Sequence, residues 1–534
     1  MSLFRKLNLS LIIGLLSVSS NFAQTTSPKL VVGVVVDQMR YDYLQRYWDS
    51  FGEEGFKRLV KQGFAVNNVN YHYKPTYTGP GHASIFAGAP PAKHGIVGNN
   101  WYSREEGKVV YCAESRKDDG SYWMAPSRMK GRNLADQIKL RYGAKAKCYG
   151  VSLKDRGAIL PAGHMADAAF WFDGKAGLWI SSEYYEKQNQ AFLESFNKID
   201  LLERYLRKPW QLSKEQDHYQ TSFADSNAYE KPLVKKGGIT FPYNLLEAYR
   251  KEGYKVLKSI PQGNTMTTDF AISLLKEEAL GQDAVPDFLS ISYSATDYVG
   301  HTFGVGSREV QDTYIKLDQD IANLLVKLDQ EVGEGEYLLF LTSDHGAGEP
   351  RNFLKDAKLP NGRFSTRDIK NNLDSALDQK FGPRDWIDAF INLNVYFNTK
   401  ALEEKSIKAQ DVLEYAKRYL SKLKGVKAVW SASSKIAHSH FNSMVENGYE
   451  PEESGDLILL EQASWTSYSD KGSTHGSPYH YDTHVPLLFY GKGIKPGKTN
   501  QSYSIAAIAS TVAHLIHLAE PELSKGEIII ELMD

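Results

Sequence analysis

The stretch LVVGVVVD, residues 30–37, is apolar and rich in β-branched side chains up to a final carboxylate, Asp37. A strand that is buried on both faces of a parallel sheet has this composition, because neither face meets water. Comparable apolar runs recur at residues 287–294 (DFLSISYS), 337–343 (YLLFLTS) and 485–490 (VPLLFY). The sequence therefore predicts a buried sheet that contains these four runs.

Segments with apolar residues at helical spacing lie between the predicted strands. They cover residues 264–280, with Asn264 as the expected N-cap, 308–330 and 504–518. This alternation predicts an α/β fold with a central, mostly parallel sheet flanked by helices. Two irregular segments are expected to lie over the functional face: residues 102–130 and about 350–470. The longer one is expected to form an inserted cap.

The composition is that of a globular protein with no strong overall charge. The 534 residues are 42% hydrophobic and 24% charged, so the chain can bury a large core and is not expected to be disordered. Lysine plus arginine (63) nearly balances aspartate plus glutamate (64), which leaves a formal net charge of -1. This balance argues against a nucleic-acid polymer or an anionic membrane as the partner.

The N-terminus has the pattern of a secretory signal peptide. Arg5 and Lys6 precede an apolar run at residues 9–16 and a small polar stretch that ends near Ala23. The run is too short to span a membrane, so we expect cleavage of residues 1–23 and a periplasmic or secreted protein. In such a compartment Cys112 and Cys148 form either one disulfide or two isolated buried thiols.

Carboxylates and imidazoles follow the predicted strands. Asp297 and His301 lie one helical turn apart after the second run, and Asp344 and His345 follow the third run. Open α/β sheets bind ligands at the carboxyl ends of their strands, so these side chains and Asp37 are expected to converge there. Mixed Asp and His ligands suit zinc, manganese or iron. Each pattern taken alone is also typical of a surface helix pair or a capped turn.

Two further segments contain groups that suit a phosphate. Thr78, in PTYTGPGHASIFAG, lies near a predicted helix start, where backbone N–H groups attract anions; the alternative is a threonine that merely caps its helix. In GVSLKDRGAI, an extended Lys154-Asp155-Arg156 would place Lys154 and Arg156 on one side, which suits a dianion. A solvated turn is the alternative there.

These motifs together resemble the alkaline phosphatase superfamily. Within it they are similar to the phosphate-irrepressible, single-threonine, zinc-dependent periplasmic alkaline phosphatases, a group related to nucleotide pyrophosphatase/phosphodiesterases. The resemblance extends over nearly all of residues 24–534, which are expected to form one catalytic domain with a cap at roughly 350–470. By spacing alone His475, His480 and His484 are about equally eligible as ligands, and the resemblance selects His475 in STHG.

The resemblance implies two zinc ions and a set of site residues. One zinc would be bound by Asp37, Thr78, Asp344 and His345, and the other by Asp297, His301 and His475. Thr78 would be the nucleophile that forms a phosphothreonine intermediate. The phosphate oxygens would be bound by Lys154, Arg156 and Asn99, the last of these in VGNNWY. We expect His82, His94 and His164 to have structural or supporting roles.

The sequence therefore favours a zinc-dependent phosphomonoester hydrolase that acts on small phosphate monoesters through a phosphothreonine intermediate. A monomer that is active at neutral to alkaline pH is expected. A nucleotide-type phosphodiesterase would share all the proposed zinc ligands, and Lys154 with Arg156 distinguishes the monoesterase from it. A zinc-binding protein without catalytic activity is a third possibility, but it would not require the Thr78 hydroxyl.

Overall fold

A computed structural model describes residues 27–185, 189–403, 407–432, 439–524 and 527–533. The expected leader at residues 1–23 lies outside the described residues. Within the described ranges, no helix is long and apolar enough to cross a membrane. Both cysteines are buried and free, so the structure has the thiols rather than the disulfide.

The strands of the described residues, in chain order, are β1 (Leu30–Val36), β2 (Phe64–Asn70), β3 (Asn100–Ser103), β4 (Lys108–Tyr111), β5 (Glu114–Arg116), β6 (Tyr122–Met124), β7 (Cys148–Ser152), β8 (Ala168–Asp173), β9 (Leu178–Ile180), β10 (Asp287–Tyr293), β11 (Tyr337–Thr342), β12 (Gly362–Arg363), β13 (Ile387–Ile391), β14 (Asn394–Phe397), β15 (Val426–Trp430), β16 (Leu457–Glu461), β17 (Trp465–Thr466), β18 (His484–Gly491) and β19 (Gly497–Ser504).

The α-helices of the same residues are α1 (Asp42–Arg46), α2 (Phe56–Gln62), α3 (Thr78–Ala87), α4 (Pro91–His94), α5 (Leu134–Tyr142), α6 (Asp155–Ala162), α7 (Gln190–Phe196), α8 (Leu245–Glu252), α9 (Gln262–Glu277), α10 (Ala295–Phe303), α11 (Arg308–Glu331), α12 (Arg351–Asp356), α13 (Thr366–Phe381), α14 (Thr399–Leu402), α15 (Ala409–Leu420), α16 (His440–Gly448), α17 (His480–Thr483) and α18 (Ala507–Leu515).

The predicted central sheet is confirmed. It has nine strands in the order β19-β2-β18-β11-β1-β10-β7-β8-β9. The five strands from β11 to β8 are mutually parallel, while β18 and β9 run antiparallel to their neighbours β11 and β8. The strand β1 lies in the middle, so its last residue is followed by Asp37 at the carboxyl edge of the sheet.

Alternate residues of β1 face two different apolar cores. Val32 and Val34 belong to one core, which also contains residues of α9 and α11. Val31 and Val35 belong to the other core, which contains residues of α3, α5 and α18. Helices therefore cover both faces of the sheet, which explains why the β1 sequence has no polar alternation.

The irregular segment after residue 350 has its own sheet and its own core. The antiparallel strands are ordered β13-β14-β16-β15, and residues of α13 and α15 pack with them around Leu373, Val412 and Leu457. The shorter irregular segment contains two hairpins, β3–β4 and β5–β6.

Two predicted helix starts are wrong by a few residues. Helix α9 begins at Gln262 instead of 264, and the Asn264 side chain accepts a hydrogen bond from the Ala295 N–H (3.1 Å) instead of capping the helix. Helix α18 begins at Ala507, because residues through Ser504 pair with β2 as the strand β19. In both cases a tertiary contact determines the conformation at the expected boundary.

Helix α3 reaches the sheet through a close contact at Gly33. A Cβ at this position would lie 2.8 Å from the Phe340 ring and 2.9 Å from the Phe86 ring of α3. We expect Gly33→Ala to lower the free energy of unfolding by about 1–3 kcal/mol, as overpacking of a dense core does. Urea unfolding followed by circular dichroism would measure this change.

The control is Gly238→Ala, because a Cβ there has no heavy atom within 4 Å among the described residues. It should leave stability unchanged or raise it slightly, since alanine restricts the unfolded chain. A Gly33→Ala variant as stable as this control would contradict the close packing of α3 on β1.

Candidate functional site

The side chains expected at the carboxyl edge of the sheet do meet there. Asp37 follows β1, and Asp344 with His345 follows β11. Asp297 and His301 lie one turn apart on α10, directly after β10. Because β11, β1 and β10 are adjacent and parallel, their carboxyl ends bring these residues together.

Asp37, Asp344 and His345 form the first group, and all three are buried. The Nε2 atom of His345 lies 3.6 Å from Asp37 Oδ1 and 3.4 Å from Asp344 Oδ2. These same three atoms are buried and have no hydrogen-bond partner among the described residues. Three orphaned ligand atoms that face one another are typical of a cation site.

Asp297, His301 and His475 form the second group. Asp297 Oδ1 lies 3.2 Å from His301 Nε2 and 3.6 Å from His475 Nε2. The His475 ring also stacks on the His345 ring, with 3.4 Å between centroids. The two groups are therefore neighbours, and His475 comes from a loop far along the chain.

The three imidazoles share one orientation. Each Nδ1 faces a backbone carbonyl, which can only accept a hydrogen bond, so Nδ1 carries the proton and Nε2 offers a lone pair. The carbonyls are those of Ser473 for His301 (2.7 Å), Gly346 for His345 (2.9 Å) and Thr76 for His475 (2.8 Å). Each Nε2 lone pair thus points toward carboxylate oxygens, an arrangement that a cation between them would stabilise.

The electrostatics of the first group also fit a divalent cation. Burial raises the pKa of Asp37, and burial together with the nearby Asp37 charge raises the pKa of Asp344. Burial lowers the pKa of His345 to about 3, so the imidazole is neutral at physiological pH and cannot compensate the carboxylates. A metal ion would supply the missing positive charge, and the oxygen and nitrogen donors suit zinc.

Lys154 lies between the two groups. Its Nζ is 2.7 Å from Asp37 Oδ2 and 2.6 Å from Asp297 Oδ2. Burial opposes the ammonium charge, but Asp297 and Asp37 together raise the pKa of Lys154 above its usual value. Burial alone would raise the pKa of Asp297, and its basic neighbours, His301 first, instead hold it well below the usual range.

The predicted extended conformation of Lys154-Asp155-Arg156 is wrong. Lys154 is the extended N-cap residue of α6, and the helix begins at Asp155, so Arg156 lies in its first turn. The Arg156 guanidinium donates to the Tyr111 hydroxyl (3.1 Å), and its buried Nε has no partner among the described residues. Lys154 and Arg156 therefore leave the backbone in different directions.

Thr78 is the first residue of α3 and is buried. Its hydroxyl does not cap the helix: the N-cap is Tyr77, and the Asn99 Oδ1 atom accepts the Gly79 N–H (2.7 Å). The alternative of a merely capping threonine is therefore not what the structure has. With its oxygen engaged by Gly79, the Asn99 amide keeps two N–H groups as donors for an anion.

The other candidate histidines lie outside both groups. His82 Nδ1 faces the Thr78 carbonyl (2.9 Å), and its Nε2 faces Ser292 Oγ (2.9 Å). Burial lowers the pKa of His82 to about 4, so it is neutral beneath the site. The remaining four make contacts elsewhere: His94 hydrogen-bonds with Ser84, His164 with the Gly131 carbonyl and His484 with the Asn67 carbonyl, and the His480 ring meets the His484 ring edge-on.

Gln38 is a residue that the sequence did not reveal. Its backbone N–H donates to Asp344 Oδ1 (3.2 Å), and its side-chain amide donates to Asp297 Oδ1 (2.5 Å). Gln38 has a φ of 65°, in the left-handed region, and a Cβ on Gly300 would overlap its amide oxygen. It thus connects the two groups, and only its position next to Asp37 could have drawn attention to it.

Residues 31–485 match the family model described as type I phosphodiesterase / nucleotide pyrophosphatase. A Myroides odoratus protein named calcium-transporting ATPase is 40% identical over 520 residues, which are 95% of this chain and 95% of that protein. Alkaline phosphatase PafA of Elizabethkingia meningoseptica is 40% identical over 538 residues, 98% of each chain.

A solved structure is similar to this chain over nearly its whole length. The crystal structure of wild type alkaline phosphatase PafA superimposes with a TM-score of 0.90 at 39% identity, over 95% of this chain and 99% of that chain. The two relatives carry different functional names although each is 40% identical to this chain.

We expect Gln38→Ala to weaken metal binding about 10–100-fold, the usual effect of removing a group that orients metal ligands. Competition with a chromophoric chelator at fixed pH would measure the affinity. The control is Gln45→Ala, at an exposed glutamine seven residues further along. If both variants bind metal within twofold of the parent protein, Gln38 does not orient the ligands.

Proposed function

The chain belongs to the type I phosphodiesterase / nucleotide pyrophosphatase family, and from this membership and its site we propose that it is an alkaline phosphatase, a phosphoric monoester hydrolase. The observation that carries the proposal is that the two ligand groups are neighbours, with Lys154 between them and with Tyr77, the residue before Thr78, in contact with the His475 ring. A nucleotide-type phosphodiesterase of the same family is the second candidate, because the family model itself bears that name.

We propose that two zinc ions occupy the site. Asp37, Asp344 and His345, together with the Thr78 oxygen, would hold one ion, and Asp297, His301 and His475 would hold the other. Bound zinc would supply Lewis-acid assistance to a nucleophilic oxygen, a leaving oxygen and a water molecule. The orphaned ligand atoms of the first group and the Nε2 orientation of all three imidazoles support this assignment.

Thr78 is the proposed nucleophile. Its oxygen attacks phosphorus in line, the new O–P bond forms as the ester O–P bond breaks, and the alcohol leaves. Water then hydrolyses the phosphothreonine, releases inorganic phosphate and restores the hydroxyl. The position at the start of α3 favours the reaction, because backbone N–H groups and the helix dipole stabilise negative charge there.

Asn99, Lys154 and Arg156 are the proposed ligands of the non-bridging phosphate oxygens. A monoester is a dianion with three such oxygens, whereas a diester has one charge less and a second organic group. Two cations from the start of α6 and an amide that contacts the start of α3 suit the dianion. The lysine approaches between the carboxylates Asp37 and Asp297 instead of from an extended strand.

We further propose that export removes residues 1–23, and that residues 24–534 act as a monomer in the periplasm or the medium, with residues of roughly 350–470 as a cap. The separate sheet and core of the cap support the last point. Small phosphate monoesters are the proposed substrates.

The protein should hydrolyse p-nitrophenyl phosphate with a higher kcat/KM than bis-p-nitrophenyl phosphate. Arg156→Ala should lower the monoester value roughly 10–100-fold, since hydrogen bonds to charged groups are strong, and should lower the diester value less. Arg207→Ala is the control, because that side chain is 67% exposed. Preference of the unmodified protein for the diester would reject the monoesterase in favour of the second candidate.

Thr78→Val should lower phosphatase activity by on the order of a thousandfold or more, because removal of a nucleophile abolishes its pathway. Thr78→Ser should retain measurable activity, since it keeps the hydroxyl. Metal analysis of the same samples should give two zinc equivalents for the unmodified protein. Full activity of Thr78→Val would exclude Thr78 as the nucleophile, and a single zinc equivalent would contradict the paired site.

A further inference from the structure

Tyr111, the last residue of β4, contacts both charged side chains at the start of α6. Its hydroxyl donates a hydrogen bond to Asp155 Oδ1 (2.5 Å) and accepts one from Arg156 Nη1 (3.1 Å). A hydroxyl has one proton and two lone pairs, so it can bind a carboxylate and a guanidinium at the same time. An anion and a cation of α6 therefore meet at one oxygen atom of the hairpin β3–β4.

The Tyr111 hydroxyl separates these two opposite charges. Asp155 Oδ1 lies 4.0 Å from Arg156 Nη1, whereas a direct hydrogen bond between such charged groups is about 2.7–2.9 Å long. The same Oδ1 atom accepts the Arg156 backbone N–H (2.7 Å), so the carboxylate stays close to the base of the arginine side chain. Without the hydroxyl, the guanidinium could therefore close onto the carboxylate next to it.

The contact with Tyr111 leaves a different edge of the guanidinium available. The buried Nε of Arg156 has no hydrogen-bond partner among the described residues. In a planar guanidinium, Nε–H and one N–H of Nη2 are parallel and together match two oxygens of a phosphate. Because Tyr111 binds Nη1, the edge that contains Nε remains for an anion, and a buried donor without a partner is costly unless one binds.

The hairpin that carries Tyr111 is also attached to the start of α3. Tyr111 pairs with Asn100 of β3, and the next residue, Cys112, donates its N–H to the Asn99 carbonyl (3.0 Å). The Asn99 side chain in turn accepts the Gly79 N–H (2.7 Å). A Cβ on Gly79 would lie 3.1 Å from both Asn99 Oδ1 and Cys112 Sγ, so the hairpin packs closely on the helix start. The Tyr111 hydroxyl is thus fixed relative to the helix that begins at Thr78.

The Tyr111 hydroxyl also keeps its proton at alkaline pH. Burial raises the pKa of Tyr111 well above its ordinary value, although the nearby Arg156 charge opposes this shift. The hydroxyl therefore remains a donor to Asp155, and its oxygen remains a neutral acceptor for Arg156.

We propose that Tyr111 is a positioning residue for phosphate binding: its hydroxyl holds the Arg156 guanidinium away from Asp155 and directs the Nε edge toward the phosphate of the substrate. The inference rests on the proposed phosphatase function, in which Arg156 binds a non-bridging oxygen. Tyr111 itself acts through Arg156 and not on the substrate.

A double-mutant cycle with Arg156 tests this role. Tyr111→Phe keeps the ring and removes the hydroxyl, and we expect it to lower kcat/KM for ethyl phosphate about tenfold, as the loss of a coupled contact does. In the Arg156→Ala background the same substitution should change kcat/KM by less than about twofold, because the side chain that Tyr111 positions is already absent. An equal loss in both backgrounds would overturn the proposal.

A second cycle separates the positioning role from damage to the hairpin. Asp155→Asn keeps an oxygen that can accept the Arg156 backbone N–H, but it removes the charge that would attract the guanidinium. The double variant Tyr111→Phe with Asp155→Asn should therefore regain at least about threefold of the kcat/KM that Tyr111→Phe loses. A damaged hairpin would not be repaired by this change, so absence of any recovery would overturn the role of the hydroxyl in separating the charges.

The matched control is Tyr102→Phe, in the partner strand of the same hairpin. The Tyr102 ring lies 5.5 Å from the Tyr396 ring of the proposed cap and is not in contact with Arg156 in the structure. Inhibition by inorganic phosphate gives a readout that does not depend on turnover. The inhibition constant should rise in Tyr111→Phe and stay unchanged in Tyr102→Phe, with equal zinc content in both.

The outcomes distinguish this inference from the proposed function. Loss of ethyl phosphate turnover in Arg156→Ala, together with full turnover and unchanged phosphate inhibition in Tyr111→Phe, would overturn the role of Tyr111 and leave the phosphatase assignment intact. Absence of monoester turnover by the unmodified protein would reject the proposed function and this inference together.

Discussion

Buried negative charge at the carboxyl edge of the central sheet is the constraint on which the rest of the site depends. Asp37, Asp297 and Asp344 are all buried; the first and last lie within 3.6 Å of His345 Nε2, and Asp297 lies within 3.6 Å of the His301 and His475 Nε2 atoms. Removing an ionised carboxylate from water costs several kcal/mol. Even a neutral polar group that is buried without a hydrogen bond costs roughly 2–7 kcal/mol. Nearby cations and hydrogen bonds must offset this desolvation cost.

The three carboxylates receive this compensation unequally. Asp297 has Lys154, two imidazoles and the Gln38 amide around it, and its pKa is held well below the usual range. Asp344 accepts a hydrogen bond from the Gln38 backbone N–H, but burial and the nearby Asp37 charge raise its pKa. The first group therefore lacks more positive charge than the second, and it packs against Gly81 in the first turn of α3, the helix that begins at Thr78. A metal ion there would supply the missing charge.

Much of the site could be predicted because its residues follow buried strands. Apolar runs in the sequence predicted the positions of β1, β10 and β11, and parallel pairing then brought Asp37, Asp297 and Asp344 together. The conformation at Lys154 could not be predicted in this way, since α6 starts there through packing against α3 and β7, which local sequence does not encode. The role of Gln38 could not be predicted for a similar reason. Its backbone is left-handed, and its contacts are with two carboxylates from distant segments.

The proposed cap is attached to the segment that leads to Thr78, the proposed nucleophile. Lys74, four residues before Thr78, is buried and pairs with Glu461 of β16, one of the two inner strands of the cap's sheet. A Cβ on Gly448, at the end of α16, would overlap the Lys74 carbonyl, so the cap backbone packs directly on this segment. Because the pair is buried, loss of either partner would leave an uncompensated charge. The contacts that hold the cap therefore also hold the segment that leads through Tyr77 to Thr78, so the cap and the proposed attacking oxygen are positioned by one set of interactions.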